Sequence, residues 1–140
     1  MSYQTDFYGW AFEQAQRVRN GESIDRDNIA EELEDLGRAE KRELTKHLAR
    51  LMQHLLKCEY QPSKRTRSWD ATIREQRKQA VKTLSENPSL KPKLAECVAD
   101  AYDTARNFAA AEMEDRIEED LPRECPWSVE YLLRGTEEGK

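Results

Sequence analysis

The sequence predicts an all-α fold, a single-domain helical bundle of four main helices with a short C-terminal helix. Three observations carry that expectation. Only five glycines and five prolines occur in 140 residues, β-branched clusters are absent, and apolar residues recur at spacings of three and four. The length fits one domain, assigned here to residues 1–135, with residues 136–140 expected as a disordered tail. Fourteen of the hydrophobic residues are alanines, so the helices can pack closely yet each buries little area. Burial of one large side chain contributes only roughly 1.5–3 kcal/mol, and a homodimer that shares core surface would relieve so thin a core.

The first helix should start at Thr5 or Asp6 as cap and bury Phe7, Trp10, Ala11 and Phe12, with Arg17 and Arg19 near its carboxyl end and Asn20-Gly21 stopping it. The second can start after Asp25, with Asp27 in its first turn, and its apolar positions run through Ile29, Leu33, Leu36, Leu44, Leu48, Leu51 and Leu55. Only Gly37 interrupts that pattern before Gln61-Pro62. Unbroken, it makes a rod of roughly 50 Å, so Gly37 marks a bend or the rod reaches a partner. A third helix, capped by Ser68, carries Trp69, Ile73, Gln76, Ala80 and Leu84 on one stripe. "SENPSL" ends it and caps the fourth helix at Ser89, with Pro92 tolerated in the first turn. The fourth uses Leu94, Val98, Ala101, Ala105 and Phe108 or Ala109. Ser128 can cap the last helix, Trp127 can staple onto Leu132, and Gly135 ends it.

Charge is segregated along this frame. Residues 22–43 carry nine acidic and four basic side chains, residues 57–82 eight basic and three acidic, and residues 112–140 ten acidic and four basic. The net charge of −5 argues against a general attraction to nucleic acid or anionic membrane. No apolar run reaches the roughly 20 residues of a membrane span, and the start "MSYQTDFYGW" lacks the features of a signal peptide. A cytoplasmic protein is the expectation. Three widely spaced cysteines, Cys58, Cys97 and Cys125, fit reduced thiols rather than a disulfide framework.

Candidate chemistry is sparse. Arg74, Arg77, Lys78 and Lys82 share one face of the third helix, opposite Trp69 and Ile73. An inward Trp69 removes the base-stacking half of a single-strand-binding argument, which leaves a solvated or internally paired stripe. Lys64, Arg65 and Arg67 precede a helix amino terminus, where planar guanidinium donors suit phosphate or carboxylate. His47 and His54 lie seven residues apart, roughly 10.5 Å along a helix, too far to share one zinc ion. No metal site is assigned, and no cofactor is specified. Cys58 lies one turn from His54, whose protonated form would stabilise a thiolate. No Gly-x-Ser-x-Gly elbow, P-loop or dinucleotide fingerprint occurs.

Several segments together resemble a bacterial protein family called domain of unknown function 29. They are "TDFYGW", "IAEELEDLGRAEKREL", "HLLKCEYQP", "RSWDATIREQR", "NPSL", "AYDTAR" and "CPW". The family pattern matches here at Asp6, Trp10, Glu32, Leu36, His54, Lys57, Gln61, Pro62, Ser68, Trp69, Arg77, Pro88, Ser89, Tyr102, Arg106 and Pro126, and His47 is not part of it. "EMEDRIEED" and the ending "SVEYLLRGTEEGK" depart from the family's usual form. The resemblance implies a helical fold and no known catalytic residue, cofactor or substrate. The leading expectation is a non-enzymatic interaction or regulatory protein that meets an unidentified protein partner through an elongated charged helical surface. A second is a ligand-binding protein or enzyme with a small-anion site at His54, Lys57, Gln61, Lys64, Arg65, Arg67 and Arg77, in a cleft between the second and third helices. A third is nucleic-acid binding by the basic stripe.

Overall fold

The computed structural model describes residues 2–135, and the expected disordered tail lies outside the described residues. The chain forms α1 (Phe7–Asn20), α2 (Arg26–Tyr60), α3 (Arg67–Glu86), α4 (Leu94–Glu112) and α5 (Val129–Arg134). Short 3₁₀ segments occur at Pro62–Lys64, Pro88–Lys93 and Glu118–Asp120, and no strand is present among the described residues. The fold is all-α. These residues group into two compact units, one ending at Ala39 and the other starting at Glu40. No helix among them is long and apolar enough to cross a membrane.

The first unit is a helical hairpin with local causes at each corner. Asp6 caps α1 by accepting from the Gly9 N–H at 3.0 Å, and Gly21, in the left-handed region at φ 70°, closes it. Asp25 then ties the turn together. Its carboxylate accepts from Trp10 Nε1 at 2.8 Å and from Asn28 Nδ2 at 2.9 Å, and its N–H donates to Gln14 Oε1 at 2.7 Å. Those donors hold the Asp25 carboxyl below its ordinary pKa, Asn28 foremost and Trp10 next. Among the described residues of this unit only Trp10 is buried. Phe7 and Phe12, expected to be buried, remain 49% and 64% exposed, and Leu33 and Leu36 of the apolar pattern remain 63% and 65% exposed. Two helices alone can hide a single seam, and no third element of the unit covers the rest.

From Leu44 onward α2 changes character. Leu44, Leu48, Leu51, Met52 and Leu56 are fully buried, and Leu55, Cys58, His54 and Lys57 are nearly so, the mark of a helix surrounded by protein on most sides. Gly37 does not interrupt it, because α2 is continuous from Arg26 to Tyr60.

Two boundaries differ from expectation, each for a local reason. The 3₁₀ turn Pro62–Lys64 delivers an extended residue at Thr66, so Thr66 Oγ1 rather than Ser68 accepts from the Trp69 N–H, at 3.1 Å. Ser89 does not cap α4. The Leu90 N–H donates to the Asn87 carbonyl at 2.9 Å, a turn that opens the 3₁₀ segment Pro88–Lys93 ahead of α4 at Leu94. Trp69 is half-buried and packs against the core rather than lying within it.

Cys97, Ala101, Ala105 and Ala109 repeat every four residues on α4 and are fully buried, so small side chains let neighbouring elements approach. The chain then returns to the core through Met113, Leu121 and Trp127. Ser128 Oγ accepts from the Tyr131 N–H at 3.1 Å to start α5, and Trp127 and Leu132 are both buried in the same core.

The end of α5 is held by α3. Arg77 Nε donates to the Leu132 carbonyl at 2.9 Å, and its guanidinium lies so near Gly135 that an added Cβ would stand 2.8 Å from Cζ. Gly135 also has φ 73°, a region that costs other residues about 1–2 kcal/mol. Gly135→Ala is therefore expected to lower stability by about 2–3 kcal/mol in urea unfolding. Arg77→Ala with Gly135→Ala should lose less than the sum of the single changes, because removing the guanidinium relieves the collision.

Candidate functional site

The seven sequence-selected residues separate into three environments. Gln53 and Lys57 on α2, and Gln61 one residue past its end, stand four residues apart. They meet the end of α4 and the residues just after it. Gln53 Nε2 donates to Glu112 Oε1, Lys57 Nζ donates to Glu112 Oε2 at 2.5 Å, and Gln61 Nε2 donates to Asp115 Oδ1 at 3.1 Å. The Lys57 ammonium also lies 4.4 Å from the centroid of the Trp69 ring, a cation–π contact strengthened by desolvation. This is a ladder of polar cross-links between elements distant in sequence.

His54 lies beside that ladder. Its Nδ1 pairs with the Arg50 carbonyl at 2.9 Å, and burial, ahead of every other influence, pushes its pKa down. Burial likewise pushes the Cys58 thiol up. Both shifts favour neutral forms, so the arrangement works against the imidazolium–thiolate pair that their one-turn spacing suggested.

Arg65 and Arg77 line a cavity of about 320 Å³ with Leu55, Cys58, Glu59, Ile73, Tyr131 and Gly135. His54, Lys57 and Gln61 do not line it. Its two guanidinium groups are already engaged: Arg65 Nε donates to Asp70 Oδ1 at 2.7 Å, and Arg77 holds the α5 carbonyls. Desolvation lowers the Arg77 pKa. Lys64 and Arg67 are exposed, and Arg67 sits in the first turn of α3, whose amino terminus Thr66 already caps. The structure thus gathers Arg65 with Arg77, places His54, Lys57 and Gln61 toward α4, and leaves Lys64 and Arg67 at the surface.

The basic stripe of α3 loses Arg77, which turns to α5. Lys82 reaches Glu86 at 4.0 Å, while Arg74 and Lys78 are exposed. His47 Nδ1–H donates to Gln76 Oε1 at 2.7 Å, and its Nε2 lies 3.6 Å from Glu43. No group of three or more His, Cys, Asp or Glu side chains among the described residues is disposed to hold a metal ion.

The concave surface that sequence reasoning missed is in the hairpin. A groove of about 460 Å³ runs between α1 and the start of α2, floored by residues including Phe7, Ala11, Val18, Ile29, Leu33 and Leu36. The missed signal was arithmetic: two apolar stripes within the first 39 residues, with no third stripe there to cover them.

A family model described as Domain of unknown function DUF29 matches residues 2–136. The chain belongs to this family. No curated protein and no solved structure matches it at a significant level. In this chain Lys57 and Gln61 reach Glu112 and Asp115 at and just after the end of α4, and Arg77 joins α3 to α5.

The ladder makes an asymmetric prediction. The Lys57 side chain is 9% exposed, whereas that of Glu112 is 43% exposed. Deleting the carboxylate strands a buried ammonium, while deleting the ammonium frees a carboxylate that water can reach. Glu112→Ala should therefore lower stability by about 2–3 kcal/mol and Lys57→Met by less than about 1 kcal/mol, measured by chemical denaturation.

Proposed function

We propose that this DUF29 protein is a non-enzymatic, cytoplasmic interaction module whose docking face is the apolar side of the α1–α2 hairpin. The observation that carries the reading is the exposure of Phe7, Tyr8, Phe12, Val18, Leu33 and Leu36 within one 39-residue unit. Contiguous apolar surface rimmed by polar residues marks a site of association. The charged helical surface expected from sequence is a weaker basis. Four of the eight positive side chains of residues 57–82, Lys57, Arg65, Arg77 and Lys82, already have partners within the protein.

Affinity purification from the native host tests this proposal. Full-length wild type, Leu33→Glu and Arg74→Ser/Lys78→Ser serve as baits. Wild type and the stripe variant are expected to retain the same bound polypeptides, including differently tagged copies of the chain, and Leu33→Glu is expected to lose them. Recovery unaffected by Leu33→Glu, or abolished by the stripe variant alone, overturns the reading.

A further inference from the structure

We propose that the occupant of the hairpin groove is a second copy of the same chain, so that two α1–α2 hairpins close into a four-helix bundle. This rests on the docking face proposed above and adds the identity of its partner. The hairpin has one buried side chain, Trp10. Structures under roughly 40 residues rarely bury enough surface to hold themselves together, and this unit ends at Ala39. It has the form of half a bundle.

The spacing fits such a closure. Phe7, Ala11, Gln14 and Val18 follow steps of four, three and four along α1, and Ile29, Leu33, Leu36 and Glu40 follow the same steps along α2. That is the seam of helices packed at a shallow crossing angle. The small Ala11 and Ala15 in the groove admit the large Phe12 or Leu33 of a partner, and a two-fold axis makes each such contact twice.

Charge selects the copy over a basic helix. Residues 2–39 carry nine acidic and four basic side chains, yet the only ionisable side chain lining the groove is Glu32, which accepts from the Tyr3 hydroxyl. Two such faces bring together one carboxylate each, Glu32, which already accepts from Tyr3. The rim is cationic at the loop end: Arg19 continues the exposed row of Tyr8 and Phe12, and Arg26 that of Ala30 and Leu33. Neither arginine has a hydrogen-bond or ion-pair partner among the described residues. These cations call for an acidic partner. In an antiparallel two-fold arrangement the loop end of one hairpin lies against the open end of the other, where Asp6 caps α1 and Glu34 and Asp35 share the single cation Arg38.

Sedimentation equilibrium of the purified full chain between about 1 and 100 μM tests this. Wild type is expected to be a dimer, and Leu33→Glu a monomer that retains its helical circular dichroism. Arg19→Glu/Arg26→Glu is expected to dissociate at least about tenfold more readily. A wild type that stays monomeric at the highest concentration overturns the inference, as does a dimer indifferent to Leu33→Glu. If a monomeric wild type still captures a host protein that Leu33→Glu loses, the docking face stands and only the second copy falls. If Leu33→Glu changes neither measurement, both proposals fall.

Discussion

The burial of α2 between Leu44 and Cys58 is the constraint on which residues 40–135 depend. A helix surrounded on most sides needs apolar groups at almost every angle, and this one supplies Leu44, Leu48, Leu51, Met52, Leu55 and Leu56. Enclosure on that scale takes more than two neighbouring helices. The chain therefore folds back after α4, bringing Cys125 Sγ to 3.7 Å from Met52 Sδ and the Trp127 indole N–H to 3.1 Å from Glu59 Oε1. The segment from Met113 to Trp127 is thus a lid on the spine.

Enclosure also dictates what the polar groups on that helix do. A buried amide or ammonium without a partner is costly, so Lys57 and Gln61, and Gln53 beside them, are each matched to a carboxylate at or just after the end of α4. The last residue of α4, Glu112, and Asp115 in the covering segment supply those acids. What sequence presents as a cationic cleft is, in three dimensions, a set of internal cross-links. A helical core assembled from alanine-rich faces gains directional contacts that fix its register.

Much of this was legible in the sequence because it is local. Helix type follows from the three-and-four spacing, and the caps Asp6 and Ser128 and the stops Gly21 and Gly135 follow from short-range chemistry. Legibility failed where two local solutions competed. Thr66 and Ser68 are equally able to cap, and the preceding 3₁₀ turn chose between them; Pro92 suits an α-helical first turn and a 3₁₀ segment alike, and the turn from Asn87 to Leu90 chose the second. It failed wholly for contacts of long sequence separation. Nothing near Lys57 announces Glu112, and nothing near Arg77 announces the carbonyl of Leu132. Such pairings are set by packing, and the residues of the candidate anion site divide among separate environments for that reason.

The first 39 residues obey a different balance. Their periodicity is as regular as that of the spine, and the sequence alone gives Leu33 and Leu44 the same apolar reading. The structure separates them, with Leu33 63% exposed and Leu44 fully buried. A single helix thus contains one apolar stretch that is satisfied within the chain and one that is not. Peptide-resolved amide hydrogen exchange, followed at low and high protein concentration, measures that difference directly. The account predicts slow, concentration-independent exchange across 44–58, with exchange across 7–20 and 26–36 that slows as concentration rises. Equal protection along all of α2 at every concentration would contradict it.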